Sequence, residues 1–241
     1  MKRISVCIAS YNGARFIKEQ LESILCQLSG CDEIIISDDG STDDTLAIID
    51  KIQDSRIKVF ENKTVDHGVV PNFENALKHA SGEYIFLCDQ DDVWCPNKVT
   101  IAMDYLSEYD FVIHDALIVD SNGMGKGMSY FDLRHTKYGY LQNLWKMRYL
   151  GCCMAFRKKC LDSILPFPRK ILWHDMWIAL ILHLKYNGCL IHENLINYRR
   201  HGDNASSSTE NSGYSMCFRF QYRYYMFVQS ILRAIKVSLK K

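Results

Sequence analysis

Four consecutive residues, Asp89, Gln90, Asp91 and Asp92, directly follow an apolar stretch, residues 84–88, that predicts a buried strand. Side chains one and three of an extended segment point the same way, so Asp89 and Asp91 can converge on one cation. Carboxylate oxygens of this kind hold Mg²⁺ or Mn²⁺ beside phosphate groups. The pattern therefore indicates a site for a metal-bound diphosphate. A solvated acidic turn is the alternative that these four residues alone leave open.

Two more polar groups follow apolar stretches. Asp38 and Asp39 precede a turn and a helix start. An acidic first turn suits the helix dipole but does not explain both aspartates, so we expect one of them to accept hydrogen bonds from a ribose or a base. Tyr11 and Asn12 follow the first apolar stretch, residues 4–9. The Tyr11 ring offers a base a stacking surface, although rim packing would also explain it.

Asp175 begins a predicted helix and lies between Trp173 and Trp177. A single carboxylate at a helix start is often explained by the helix dipole alone. Large apolar rings around a carboxylate raise its proton affinity and offer a flat surface to a sugar ring. Asp175 is therefore a candidate general base.

Arg199, Arg200 and His201 are consecutive near the end of the regular part of the chain. A single histidine is more often structural or exposed than a ligand. Beside two arginines, however, His201 can complete a metal shell while Arg199 or Arg200 meets a diphosphate. We therefore hypothesise that His201 is a metal ligand and that Arg199 or Arg200 binds a diphosphate.

The elements that must position these residues alternate between strands and helices in the first half of the chain. This pattern predicts an α/β fold with a mostly parallel sheet flanked by helices. Ligands on such sheets bind beyond the carboxyl ends of the strands. We therefore expect Tyr11, Asp39 and Asp89 to lie along one edge. The predicted strands are 4–9, 33–37, 57–60, 84–88 and 111–114, and the predicted helices are 14–27, 43–51, 72–79 and 97–107.

The second half is less regular. Residues 120–139 are rich in glycine and without periodicity, which predicts a mobile loop. A strand over 150–156, a helix over 158–165 and a helix starting at Asp175 follow. The chain contains no GxGxxG motif after its first strand and no GxxxxGK[ST] motif, which argues against a dinucleotide dehydrogenase and a P-loop NTPase.

Residues 214–241 contain no acidic side chain and mix arginine and lysine with tyrosine and phenylalanine. This composition predicts an amphipathic helix that lies on an anionic membrane surface. A helix docked on its own domain, or one that mediates dimerisation, remains an alternative. No apolar stretch approaches the roughly 18–20 residues that cross a bilayer, so we expect contact with the membrane and no span.

The charge balance and the cysteines indicate which partners and which cellular compartment to expect. The 241 residues carry 29 basic and 28 acidic side chains and a net charge of +1, so we expect no nucleic-acid partner. The ten cysteines form no CxxC pair, and most of them lie in apolar stretches. They are typical of free thiols in a reducing compartment, which indicates the cytoplasm.

Taken together, these motifs resemble glycosyltransferase family 2, the inverting nucleotide-sugar transferases with a GT-A fold. The resemblance covers residues 1 to about 205 and implies a GT-A domain over 1–205, with a nucleotide-sugar half (1–115) and an acceptor half (116–205). A linker and basic aromatic helix would occupy 206–241. The residues that carry the resemblance are Ala9 to Gly13, residues 37–45, Asn72 with Phe73, residues 81–84, Asp89 to Trp94 with Pro96 and Lys98, and His174 with Asp175.

The resemblance also implies roles for single residues. The family's metal motif falls on Asp89, Gln90 and Asp91, with Asp91 as the direct metal ligand and Asp89 as its helper. The family's base maps onto Asp175. Ala9 departs from the family, because many members carry a hydroxyl residue there. The nucleotide-sugar site would comprise Ala9, Tyr11, Asn12, Asp39, Asp89, Gln90, Arg199 and Arg200, and the metal site Asp91, Asp89 and His201.

The function implied is transfer of a sugar, with inversion and with Mn²⁺ or Mg²⁺, from a nucleotide-diphosphate sugar to a lipid-linked saccharide in bacterial surface polysaccharide synthesis. The implied location is the cytoplasm, at the inner face of the cell membrane. The resemblance leaves open whether the chain forms a homodimer. A sugar nucleotidyltransferase is the first alternative, but residues 10–15 offer only Gly13 where such enzymes have a glycine-rich loop. A non-catalytic transferase-like subunit is the second, although it has no need for so many unpaired carboxylates.

Overall fold

The computed structural model describes residues 3–202 and 214–239. The strands are β1 Ile4–Ser10, β2 Glu33–Asp38, β3 Ile57–Glu61, β4 Tyr84–Asp89, β5 Val93–Trp94, β6 Phe111–Val119, β7 Gly125–Ser129, β8 Met154–Arg157 and β9 Gly188–Arg199. The helices are α1 Ile17–Leu25, α2 Thr45–Ile52, α3 Val69–His79, α4 Lys98–Glu108, α5 Tyr130–Arg134, α6 Tyr140–Trp145, α7 Leu161–Ile164, α8 His174–Lys185 and α9 Met216–Ser238.

One sheet joins the described strands in the order β3-β2-β1-β4-β8-β6-β9-β5, with β7 paired to β6. The first four neighbours, β3, β2, β1 and β4, are parallel. Ala9 pairs with Ser37 on one side and with Asp89 on the other, so these strands end level with one another. The predicted meeting of the three polar clusters at one edge is thus a consequence of strand register.

The second half of the sheet departs from the predicted parallel arrangement. Strand β8 runs antiparallel to both of its neighbours, β4 and β6. Beyond it, β6 and β9 are parallel, and the two-residue strand β5 is antiparallel to β9. The α/β class is confirmed, and the sheet is mixed because β8 enters it in the opposite direction.

The segment predicted as a mobile loop, residues 120–139, instead contains β7 and α5. The Ser129 hydroxyl accepts a hydrogen bond from the Asp132 amide (3.2 Å) and caps α5. Neither element was predicted because each has only five residues, too few to show a periodic pattern of apolar side chains. The glycines in β7 further weaken the strand pattern. The helix predicted over 158–165 is a 3₁₀ turn followed by α7.

Two apolar layers cover the sheet. One contains Phe73 of α3 and Trp177 of α8, and the other contains Leu21 of α1 and Leu106 of α4. All four side chains are fully buried. Burial of this kind is the main favourable term in folding, and here it fixes both faces of the sheet that carries the polar edge.

Helix α9 lies against the domain through a stripe of residues spaced four apart, Tyr222, Met226 and Ser230. The Tyr140 hydroxyl and the Ser230 hydroxyl are 2.8 Å apart. The Arg233 guanidinium donates to the carbonyls of Leu165 (2.9 Å) and Pro166 (2.6 Å). The inner face of α9 is therefore docked on its own domain, which was one of the alternatives for this helix.

Across the described residues, each helix is too short or too polar to traverse a bilayer. Several predictions fall outside these residues. They concern the linker over 206–213, Asp203 and Asn204 after the arginine pair, and the last two lysines, Lys240 and Lys241.

Candidate active site

Gln90 fixes the start of the polar edge by gripping the backbone of Tyr11. Its Oε1 accepts from the Tyr11 amide (3.0 Å) and the Ser10 hydroxyl (3.1 Å), and its Nε2 donates to the Tyr11 carbonyl (2.9 Å). A Cβ at position 13 would approach Gln90 Oε1 to 2.3 Å, so the grip requires Gly13. The Tyr11 ring remains 54% exposed and can stack on a ligand.

Asn12 locks the loop after β1 to the loop after β2. Its amide donates to the Ser41 hydroxyl (3.0 Å), and its Oδ1 accepts from the Thr42 amide (2.8 Å). Its φ of 47° is the left-handed conformation that asparagine tolerates. Asn12 was predicted to bind the nucleotide. In the structure its hydrogen bonds instead hold the two loops together.

Asp38 and Asp39 both have partners within the chain, so neither carboxylate is left free as the sequence suggested. Asp38 accepts from the Ser41 amide (2.8 Å). Asp39 accepts from Asn62 Nδ2 (2.7 Å), His67 Nδ1 (3.0 Å) and the Gly68 amide (2.6 Å). The missed partners come from residues 62–68, which carry no motif. They hold Asp39 in place, and the residue as a whole is 9% exposed.

Asp89, Asp92 and Cys152 bring one potential ligand atom each within 4.8 Å of one another. Burial, and next the Asp91 carboxylate, raise the pKa of Asp89 to about 7. Burial also raises the pKa of Asp92, with the Asp91 and Asp89 carboxylates adding to the shift. The site therefore concentrates negative charge that a cation would relieve.

Asp92 has a structural role beside this cluster. Its Oδ1 accepts from the Arg199 amide (2.9 Å), which joins the acidic loop to β9. Its buried Oδ2 has no hydrogen-bond partner among the described residues. Lys98 lies beneath the cluster, where Nζ donates to the Cys152 carbonyl (3.0 Å) and lies 4.3 Å from the centre of the Trp94 ring. A lysine buried at the first turn of α4 is a feature that sequence reasoning did not assign.

Asp91 and His201 meet across the site, with 2.8 Å between Asp91 Oδ2 and His201 Nε2. The His201 ring packs against Phe16, with 4.6 Å between the ring centroids. Both side chains are largely buried. Two of the three predicted metal ligands, Asp91 and His201, are therefore adjacent although they are 110 residues apart in the chain.

The two arginines differ in their surroundings. The Arg199 guanidinium forms an ion pair with Glu19 (2.7 Å) and covers the Phe16 ring at 4.9 Å. It is buried and bridges β9 to α1. Arg200 is partly exposed, and its guanidinium lies near the Tyr198 hydroxyl (3.4 Å). Of the two guanidinium groups, that of Arg200 is the more accessible.

Asp175 lies in the first turn of α8, where its Oδ1 accepts from the Met176 amide (2.7 Å). Burial raises its pKa to about 6. Its charge adds to the raised pKa of Asp89, which places the candidate base and the acidic loop in one site. The fold thus joins the late helix to the edge formed by the first strands.

The neighbours of Asp175 are aromatic. His174 stacks on Phe73 with 3.9 Å between ring centroids, and burial lowers the pKa of His174 to about 3. Trp173 meets Tyr222 of α9 edge-on at 5.2 Å. The Tyr222 hydroxyl accepts from the Leu172 amide (2.8 Å), so α9 holds the segment that leads into the candidate base Asp175. The contribution of α9 to this site was not predicted from the sequence.

Comparison with known proteins gives a family match. The family described as glycosyl transferase family 2 matches residues 5–165. An uncharacterized glycosyltransferase of Nostoc sp. is 30% identical over 84% of this chain and 66% of its own length. The Escherichia coli protein WfaP, a UDP-Glc:alpha-D-GlcNAc-diphosphoundecaprenol beta-1,3-glucosyltransferase, is 42% identical over 44% of this chain and 42% of its own length.

Solved structures share the fold. S. aureus TarS in complex with UDP-GlcNAc superposes with a TM-score of 0.71 at 20% identity, over 96% of this chain and 66% of that one. The Pyrobaculum calidifontis mannosyltransferase PcManGT, in complex with GDP-Man and Mn²⁺, gives 0.59 at 18% identity, over 99% and 64%. The chain spans between 42% and 66% of the length of the first four curated relatives.

Proposed function

Because the chain belongs to glycosyl transferase family 2, we propose that it transfers a sugar from a nucleotide-diphosphate donor to a hydroxyl group of a saccharide acceptor. The observation that carries this proposal is the position of Asp175. Burial raises the pKa of Asp175 to about 6, and Asp175 lies close enough to Asp89, at the end of β4, for its charge to raise the pKa of that carboxyl. A base and a candidate diphosphate site on one edge are what a direct displacement requires.

The donor would lie over the ends of β1, β2 and β4. The exposed Tyr11 ring offers a stacking surface to the base, while Ala9 lies near the end of β1 and Asp39 directly follows the neighbouring parallel strand β2. Two Escherichia coli relatives, WfaP and WfgD, are named for UDP-Glc and for an acceptor on diphosphoundecaprenol. Those names support a UDP-sugar donor and a lipid-linked saccharide acceptor for this chain.

The residues present fit a divalent cation. Asp91 and His201 converge at 2.8 Å, and the Asp91 charge raises the pKa of Asp89. Two carboxylates and an imidazole suit Mn²⁺ well, whereas Mg²⁺ prefers oxygen ligands alone. Asp91 and His201 would hold the ion with Asp89 beside it. When bound, the ion would neutralise charge that develops on the leaving diphosphate.

The chain's own residues then perform a single displacement. Asp175 accepts the proton of the acceptor hydroxyl as that oxygen bonds to the anomeric carbon. The bond from the anomeric carbon to the diphosphate oxygen breaks with its electron pair on the diphosphate. Attack from the opposite face inverts the configuration. Arg200 would pair with the departing diphosphate, and the ion pair of Arg199 with Glu19 would support the site.

The proposal includes membrane contact through the outer face of α9. Phe220, Tyr224 and Phe227 are exposed on it, and Tyr222, Met226 and Ser230 face the domain. A basic aromatic helix of this kind lies in the interface of anionic lipid. Such contact would place the enzyme at the inner face of a bacterial membrane, where a lipid-linked acceptor is available.

The first prediction tests the base. In Asp175→Asn we expect transfer to fall by about 10²- to 10⁴-fold, as for a lost general base. Binding of UDP and Mn²⁺, measured by calorimetry, should remain near wild type, because the donor contacts are elsewhere. Asp162→Asn is the matched control, since Asp162 lies in the first turn of α7 and is exposed.

The alternatives give different results in the same assays. Near-normal transfer by Asp175→Asn rejects the role of Asp175. Pyrophosphate release from a nucleoside triphosphate and a sugar phosphate would identify a nucleotidyltransferase instead. Absence of nucleotide-diphosphate binding in the presence of Mn²⁺ would favour the non-catalytic subunit.

A further inference from the structure

Helix α6 and helix α9 together form one outer surface, which the tail sequence alone does not show. Trp145 of α6 meets Phe220 of α9 with 5.7 Å between ring centroids. The Arg223 guanidinium lies 4.8 Å from the centre of the Trp145 ring. The bond between Tyr140 and Ser230 (2.8 Å) fixes the two helices side by side. We call Leu141, Trp145, Phe220, Tyr224 and Phe227 the α6–α9 surface.

This surface is apolar and open. Leu141 is 71% exposed, Trp145 60%, Phe220 50% and Tyr224 71%. Leu141 and Trp145 are one helical turn apart, so they point the same way. Of the chain's four tryptophans, Trp145 is the exposed one. Contiguous exposed apolar side chains of this kind mark an interaction site.

The two segments that form the surface carry formal charge of one sign. Residues 133–161 contain no aspartate or glutamate, and residues 214–241 contain none either. The fold brings these two acid-free segments together at α6 and α9. Lys146 is exposed. Its pKa is lowered, first by the nearby Arg134 guanidinium and then by partial burial and by Arg148. Positive charge is therefore concentrated beside the apolar side chains.

This chemistry selects the occupant. A second copy of the chain would oppose like charges, which is unfavourable for self-association. An anionic lipid surface complements the charge, and tryptophan and tyrosine rings favour the boundary between headgroups and acyl chains. Because α9 also contacts Trp173 next to Asp175, contact at this surface would bring the site near the bilayer.

We propose that the α6–α9 surface, including Leu141 and Trp145 of the domain itself, rests on membranes that contain anionic phospholipid. This inference deepens the proposed function, on which it rests, by naming domain residues outside the tail that face the lipid carrying the acceptor. It assigns α6 a role in membrane contact that residues 214–241 were expected to fulfil alone.

The test uses the full chain and vesicles of phosphatidylcholine with or without phosphatidylglycerol. We expect binding only to the anionic vesicles, and a blue shift of tryptophan emission that Trp145→Phe abolishes. Leu141→Ser combined with Trp145→Ser should weaken partitioning roughly tenfold or more, because two apolar side chains leave the lipid. Tyr105→Ser combined with Val59→Ser is the control, since both residues are exposed apolar side chains on other elements.

Three results would overturn the proposal. They are equal binding to neutral vesicles, unchanged partitioning of the Leu141 and Trp145 double variant, and a dimer in solution that this variant dissociates without changing vesicle binding. The proposed function is tested in a separate assay, which measures sugar transfer to a soluble acceptor analogue. Failure of the wild-type chain to transfer sugar to any acceptor would reject the function, while vesicle partitioning would still decide the role of the α6–α9 surface.

Discussion

The three acidic residues with raised pKa values, Asp89, Asp92 and Asp175, differ in what raises them. Burial is the largest cause for each, but Asp89 and Asp92 also repel Asp91. Asp175 is raised by burial alone, while hydrogen bonds lower its pKa. A cation can therefore relieve Asp89 and Asp92 directly and leave Asp175 as a base.

The second prediction follows from these carboxylates. Because a metal binds the deprotonated form, Mn²⁺ should raise the melting temperature more at pH 7.5 than at pH 5.5. The sign follows from Asp89, whose pKa of about 7 leaves it protonated at the lower pH. The measurement is thermal unfolding with and without Mn²⁺ at both pH values.

Two variants control this experiment. Asp91→Asn and His201→Gln should each remove most of the Mn²⁺ effect, whereas Asp120→Asn, in the turn after β6, should retain it. An equal shift of melting temperature at both pH values would contradict protonation-linked binding at Asp89.

Sequence reasoning reached some of these residues and missed others for a physical reason. Tyr11 and Asp89 follow strands whose carboxyl ends must lie at one edge, so their meeting was predictable. The grip of Gln90 on Tyr11, and the partners of Asp39, depend on how loops of no regular pattern pack. Lys98 is among the residues that carry the family resemblance, but its burial was not predictable, because a lysine in a helix is normally exposed.

At the scale of elements, α9 connects to the candidate base Asp175 through the start of α8. The Tyr222 hydroxyl accepts from the Leu172 amide, and α8 begins two residues later at His174. Tyr222 is 9% exposed, and Trp173 packs against its ring. The helix that faces solvent with one side therefore steadies the start of α8 with the other.

The third prediction concerns this hydrogen bond. In Tyr222→Phe we expect turnover to fall about fivefold to tenfold, the effect of one buried hydrogen bond, with the KM for the donor unchanged. Amide exchange at Leu172 should become faster. The measurements are steady-state kinetics and hydrogen exchange read at residues 172–176.

Tyr140→Phe is the matched variant, since it removes another hydroxyl contact of α9, at Ser230, without touching Leu172. It should leave turnover and Leu172 exchange near wild type. If both variants lower turnover equally, the effect is a general loosening of α9.

At the scale of the whole molecule, the first half was the predictable one. Alternating strands and helices fix a parallel sheet, since each crossover returns the chain to the same edge. The second half joins β8 antiparallel to β4, adds the five-residue strand β7, and supplies in β9 the partner of the two-residue strand β5. Elements that short are defined by their partners, so the sequence alone could not place them.

The fourth prediction concerns α9 as part of the core. Tyr222 and Met226 belong to the buried cluster around Trp177. Deleting residues 214–241 should cost about 3 to 6 kcal/mol, the value of exposing two large side chains. The melting temperature should fall by roughly 10 °C or more. Differential scanning calorimetry measures both.

Tyr224→Ser, on the exposed side of the same helix, is the control and should unfold like wild type. A tail deletion that unfolds at the wild-type temperature would show that α9 contributes nothing to the core. The expected destabilisation also means that single surface substitutions, rather than deletion, separate membrane contact from folding.

The pairing of β5 with β9 has a consequence for how the protein is made. The Asp92 carboxylate is held by the amide of Arg199, 107 residues further along the chain. At ribosomal rates of about 5–20 residues per second, the acidic loop waits about 5 to 20 s for this partner. The candidate metal loop therefore matures late in synthesis, after the parallel strands that support it have already had time to pair.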